Sequence, residues 1–281
     1  MDRATDPSTC IASLSECGSR WHRIQGTQSP HAKREVSLSQ SSEQPIRSKV
    51  KRVFGPAWTT RLLCILRGRG LPRWGNLRRL KPFSNSHGWD RGTPLDRYYV
   101  DRFFARHSAE ITRDVLEIDR NIYSRRYGHD LRAMHSVDID PRSEPTFLCD
   151  LAHSEDIIPS DSYDCVLLPC TLHHFRELEG CLKNVLRVVR PGGVILATCA
   201  GAVRLDAEEI DFWHPTPAGW RILLQQTWAG CEVVVEGEGN CLAIVAFNLG
   251  LAYEELKPEE LDYKDGLYPV VTTVYCRKPK H

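Results

Sequence analysis

The sequence predicts an α/β fold in which a mostly parallel, doubly wound sheet carries helices on both faces. Three observations lead there. Short apolar runs such as Cys165 to Cys170 and Val194 to Ala197 are bounded by turn residues, as strands buried on both faces are. Between them Leu178, Cys181, Leu182, Val185, Leu186 and Val189 recur at three- and four-residue intervals, the spacing of one helical face. Strands and helices then alternate along the chain, which implies parallel strands joined by right-handed crossovers.

Residues 1–45 are rich in Ser, Thr, Gln and Pro with little apolar periodicity, so burial cannot offset the entropy of ordering them and a disordered tail is expected. Their Arg and Ser content suits an organellar transit peptide, but Asp2, Asp6 and Glu16 sit where such peptides avoid acids. Residues 46–88 form a basic extension interleaved with Val53, Phe54, Trp58, Leu62, Ile65 and Trp74. Such a stretch is either a solvated basic helix resting on the domain by its apolar side or a surface that steers polyanions inward. Residues 1–89 hold 16 Lys or Arg against 5 acids, whereas the remainder holds 21 against 31, so the two parts have different physical jobs.

Residues 89–281 read as the main domain. After the Gly92-Thr93-Pro94 turn, Leu95, Tyr98, Tyr99, Phe103 and Phe104 mark a helical face. Asp114–Ile118 reads as the first strand, His135–Asp140 as the second and Thr146–Leu151 as the third. Cys165–Cys170 is the fourth. Pro191-Gly192-Gly193 should stop the helix that follows, and Val194–Ala197 is the fifth. Thr216-Pro217 caps a helix that ends at Gly230. Cys231–Glu236 is a strand, Cys241–Leu256 a helix and Val270–Cys276 a last strand, which makes seven.

The ordered elements polar turn, Asp164-x-Val166, Leu172-His173-His174-Phe175, amphipathic helix, Arg190-Pro191-Gly192-Gly193 and strand resemble the second half of a class I S-adenosylmethionine (SAM) dependent methyltransferase of the type 11 group. The stretches from Gly75 to Phe104 and from Gly239 to Asp265 also resemble a bacterial subgroup found beside glycosyltransferases. The resemblance spans roughly residues 73–277 and implies a Rossmann-like, seven-stranded sheet, SAM as cofactor and a small-molecule or glycan-linked acceptor.

In open parallel sheets ligands bind beyond the carboxyl ends of the strands. Glu117, Ile118 and Asp119 end the first strand and resemble the acidic start of the family's first motif, although the glycine-rich turn is replaced by Asp119-Arg120-Asn121-Ile122-Tyr123, with no glycine before Gly128. Either this loop takes a wider path around the cofactor or the chain is a degenerate, non-catalytic binding or scaffold protein. Asp138, Ile139 and Asp140 end the second strand about 20 residues on, the spacing at which a carboxylate meets ribose hydroxyls in related nucleotide folds, and Asp138 is the preferred ligand. The resemblance gives Asp150 the adenine amino group and Leu151 a backbone contact to the ring. Cys170, Thr171 and Leu172 should wall the pocket. His173 and His174 are candidate catalytic bases for an acceptor proton, with packing or capping as the alternative role. The aromatic insert from Asp206 to Trp220 lies where the family builds its acceptor pocket.

The eleven cysteines are scattered, several within apolar runs, and none forms a CxxC pair. They suit reduced, buried thiols in a cytoplasmic protein better than disulfides or zinc ligands, and no metal-ligating set is expected. No apolar run approaches the roughly 20 residues that cross a bilayer. Nucleic acid is not the expected partner, since the Asn/Asp-Pro-Pro-Tyr motif of enzymes that methylate base nitrogens is missing.

Overall fold

The computed structural model describes residues 64–66, 75–205 and 211–280, divided between two units, Met1–Leu77 and Arg78–His281. In the first unit these are a helical turn at 64–66 and a 3₁₀ turn, Gly75–Leu77. The disordered tail expected for residues 1–45 and most of the basic extension lie outside the described residues.

The second unit runs α1 (Leu95–Arg106), β1 (Thr112–Ile118), α2 (Ile122–Tyr127), β2 (His129–Asp138), β3 (Phe147–Leu148), β4 (Tyr163–Leu168), α3 (Leu178–Val188), β5 (Val189–Ala200), α4 (Pro217–Thr227), β6 (Glu232–Glu238), α5 (Cys241–Asn248), α6 (Pro258–Asp262) and β7 (Val271–Arg277). The strands form one sheet in the order β3-β2-β1-β4-β5-β7-β6. The pairs β1 with β2, β1 with β4, β2 with β3 and β4 with β5 are parallel. The order therefore reverses between β1 and β4, where the sheet's carboxyl edge opens a crevice.

A mostly parallel sheet of seven strands is thus present, but β7 runs antiparallel to both β5 and β6. The cause is local: Val270 N donates to Glu238 O (2.8 Å), so the chain enters β7 from the end at which β6 leaves.

Successive strand residues point to opposite faces and feed two cores. Leu116, Val166, Leu168, Ile195 and Ala197 pack with apolar residues of α3 and α4, while Val115, Cys165, Leu167, Val194 and Leu196 pack with those of α1, α2 and α5. Both cores contain side chains shielded entirely from solvent, such as Trp220 and Leu182 in one and Phe104 and Ile111 in the other.

Several boundaries differ from the sequence reading. The Pro191-Gly192-Gly193 triplet does not end a helix; α3 stops at Val188 and the triplet lies inside β5 as a bulge, because Gly192 at φ +82° donates to Lys278 O (3.0 Å) beyond β7. Regular pairing resumes at Val194, opposite Cys165. The second strand begins earlier, at His129, and ends at Asp138, leaving Asp140 to cap a 3₁₀ turn. The third strand is only Phe147–Leu148, since Asp150 caps another turn by accepting Ala152 N. The helix expected to reach Leu256 ends at Asn248, where Gly250 at φ +71° abuts Ser84 so closely that no side chain would fit. Thr216 does cap α4, accepting Gly219 N, though the helix ends at Thr227 rather than Gly230. Among the described residues no helix is long and apolar enough to cross a membrane.

Candidate functional site

The loop after β1 shows how a glycine-free turn is made. Asp119 (φ +71°) and Asn121 (φ +54°) take the left-handed conformation that glycine usually supplies, and Asp and Asn are the residue types that tolerate it best. Glu117, almost fully buried, accepts the backbone N–H groups of Tyr123 (2.9 Å) and Ser124 (2.8 Å), one on each carboxylate oxygen. It thereby holds the first turn of α2, and burial pushes its carboxyl above the usual range. Ile118 is half-buried against the core.

The next residue along α2 fills space. Tyr123 is buried with its ring centroid 4.6 Å from that of Phe104 of α1. Burial pushes its hydroxyl above the ordinary range. Asp96 beside Arg97 is also buried, with one oxygen 3.9 Å from Cys170 Sγ.

At the end of β2, Asp138 accepts Asp140 N on Oδ1 (3.1 Å), and among the described residues its other oxygen has no hydrogen-bond partner. Asp140 is instead clamped by Arg142, whose Nε lies 2.9 and 2.8 Å from its two oxygens, and that guanidinium holds the carboxyl down at about 2. Asp119 feels both acids: burial first, then Asp138 and Asp140, raise its carboxyl. Ile139 between them is 72% exposed. The edge is sewn together by Asp119 N to Val137 O (3.1 Å) and Cys149 N to Asp138 O (3.0 Å). Asp150 is exposed and spends one oxygen on its cap; Leu151 turns its side chain into the core, leaving only backbone for a ligand.

After β4, Cys170 adopts φ +48° and its N–H donates to Thr198 Oγ1 (3.0 Å). Leu172 is fully buried. Leu172-His173-His174 forms a 3₁₀ turn that carries His173 inward, and burial lowers its imidazole to about 3. Asp211 meets both histidines: its Oδ1 lies 3.6 Å from His173 Nε2 and 3.3 Å from His174 Nδ1. The segment is tied down because Phe212 N and Trp213 N both donate to His173 O (2.9 and 3.3 Å). Of the expected aromatic insert, residues 206–210 lie outside the described residues; Trp213 Nε1 donates to Phe175 O (2.8 Å), and Arg176 lies over the Phe212 ring at 5.1 Å.

Among the described residues, four buried polar atoms at this edge have no hydrogen-bond partner: Asp96 Oδ1, Asn121 Oδ1, Ser124 Oγ and Thr171 Oγ1. Buried polar atoms are normally satisfied, so their concentration at the starts of α1 and α2 and on the loops leaving β1 and β4 fits a crevice built to receive polar ligand atoms. Asp96, Asn121, Ser124 and Asp211 were not singled out as ligand or catalytic groups from the sequence. Asn121 could have been, because a non-glycine at the tight turn after the first strand must be a residue that accepts positive φ.

Residues 120–197, from the loop after β1 through β5, match the family model of a methyltransferase domain. Solved structures similar to this chain include a SAM-dependent methyltransferase from Archaeoglobus fulgidus (16% identity, 65% of this chain and 94% of that one, TM-score 0.45) and another from Mesorhizobium loti (16%, 66% and 100%, 0.45). A third is the N-methyltransferase NodS from Bradyrhizobium japonicum, in complex with S-adenosylhomocysteine (10%, 70% and 94%, 0.43). No curated protein matches the sequence.

Proposed function

We propose that this chain is a SAM-dependent methyltransferase acting on a small-molecule or glycan-linked acceptor. The observation that carries the reading is the acid Asp138 at the end of β2, whose second oxygen has no hydrogen-bond partner among the described residues, together with the unsatisfied polar atoms of the β1 and β4 loops, within the segment that matches a methyltransferase domain. An ionised carboxylate accepts from paired ribose hydroxyls, so Asp138 holds the sugar. Asp150 and the Leu151 backbone take the adenine, while Asn121, Thr171 and Cys170 line the methionine side. Glu117 shapes the loop rather than touching the ligand, since both its oxygens are spent on α2. Asp140 tightens the β2 turn through Arg142.

Bound SAM supplies an electrophilic methyl group on a sulfonium. The chain must then align an acceptor in line with it, an entropic advantage of about 7 to 11 kcal/mol when the geometry is held. His174, partly exposed, is the residue positioned to meet an acceptor; buried neutral His173 orients it and Asp211. Titration calorimetry with SAM and S-adenosylhomocysteine tests the reading: micromolar binding is expected, and no binding at millimolar ligand rejects it.

One observation favours a second reading, a methyltransferase fold kept as a binding or scaffold module. Tyr123 packs on Phe104 beside the loop where the methionine moiety would lie. This reading expects no thermal stabilisation by S-adenosylhomocysteine, whereas a competent site at a hundredfold excess over Kd gains about 2.7 kcal/mol.

A further inference from the structure

We propose that His173, His174 and Asp211 bind one divalent transition-metal ion. One ligand atom from each lies within 4.8 Å of the others. The separations suit ligands around an ion. His173 Nε2 to Asp211 Oδ1, at 3.6 Å, is too long for a hydrogen bond, and His174 Nδ1 to the same oxygen is 3.3 Å. Donors about 2.05 Å from a tetrahedral ion sit about 3.3 Å apart, so both distances suit the edges of such a site.

The donors are sheltered from water: the side chains of His173 and Asp211 are only 8% and 7% exposed. Each imidazole gives one nitrogen to an ion, Nε2 in His173, and the low local dielectric strengthens the hold of such donors on a charge. The backbone presents the set deliberately, because the chain leaving Asp211 is fastened to His173 O through Phe212 N and Trp213 N.

Imidazole nitrogens with a single carboxylate are borderline donors, which select Zn²⁺, Fe²⁺ or Co²⁺ over Mg²⁺ and Ca²⁺. The ion site itself does not depend on methyl transfer. If the chain transfers methyl groups from SAM, as proposed above, an ion here lowers the pKa of a coordinated acceptor hydroxyl and removes the need for a side-chain base.

The test uses the full chain without a histidine tag. Zn²⁺ is titrated by calorimetry and Co²⁺ by its visible ligand-field absorption, each for wild type, His174→Ala, Asp211→Asn and, as a thiol control, Cys241→Ser. One ion per chain is expected, with affinity at least tenfold weaker in His174→Ala and Asp211→Asn and unchanged in Cys241→Ser. Thermal melts without metal establish that the variants fold; should one not fold, His174→Gln replaces His174→Ala and Asp211→Ala replaces Asp211→Asn, with the same expectation. Wild type that takes up no stoichiometric Zn²⁺, or folded variants that bind as tightly as wild type, overturns the site. Titration with S-adenosylhomocysteine is read separately, so failure of cofactor binding with zinc binding intact counts against the methyltransferase reading alone.

Discussion

Glu117 accepts the backbone N–H of Ser124 at 2.8 Å, so the last acid of β1 fastens the first turn of the following helix. With Tyr123 N on its other oxygen, the carboxylate fixes a loop that has no glycine to make it compliant. Glu117→Ala leaves two buried donors unmet and should cost about 2 kcal/mol, while Glu117→Gln keeps one acceptor and should cost less. Urea unfolding of the three proteins checks the order; equal stability of Glu117→Ala and wild type would show that the bonds contribute nothing.

Much of this loop was legible in the sequence, and the part that was not has a physical cause. The acid at position 117 and the missing glycines are visible by inspection, but the left-handed turns at Asp119 and Asn121 depend on which residues must bend, and residue type alone does not specify that. The apolar runs at Cys165 and Val194 place β4 and β5 well. Pro191-Gly192-Gly193 misleads because its turn is answered by Lys278, nearly 90 residues downstream. The pairing of His173 and His174 with Asp211 is hidden for the same reason: it arises when the chain leaving β5 folds back over the turn after β4.

Asp138 and Asp140 make a discriminating pair. Among the described residues one Asp138 oxygen has no hydrogen-bond partner, whereas Asp140 is held by Arg142. Asp138→Ala should weaken S-adenosylhomocysteine binding by about 10- to 100-fold, as loss of a charge-assisted bond to a buried ligand does, and Asp140→Asn by less than about fivefold. Calorimetry on both variants decides, and a larger loss at Asp140 would transfer the ribose to that residue.

Thiol reactivity should follow burial. Cys165, Cys181, Cys199 and Cys276 are buried, and burial raises each thiol well above its ordinary range, whereas Cys241 is exposed. Only the thiolate reacts, so a maleimide at neutral pH should label Cys241 within minutes and the four buried residues only in denaturant. Peptide mapping by mass spectrometry reads this directly, and rapid labelling of Cys165 in the native protein would contradict the packing of β4.

Acid stability should depend on Asp114, far from the candidate site at the opening of β1. Its carboxylate receives Arg132 Nε at 2.8 Å and lies 2.8 Å from Arg190 Nη1, with Asp164 of β4 bonded to the same Arg190. Arg132 foremost, then Arg190, hold the Asp114 carboxyl down at about 2, below the ordinary value of 3.8. A depressed folded-state pKa stabilises above the unfolded value and is lost as pH falls through the folded one, so the window is pH 4 to 2. The drop from 3.8 to about 2 corresponds to about 2.4 kcal/mol; because Arg132 is largely exposed, solvent screening reduces this to about 1 to 2 kcal/mol. Asp114→Asn should therefore be less stable than wild type by that amount at pH 7, and the gap should close as pH drops from 4 toward 2. Urea denaturation across that range measures it, and a gap that stays constant down to pH 2 would mean that the two arginines do not favour the ionised form.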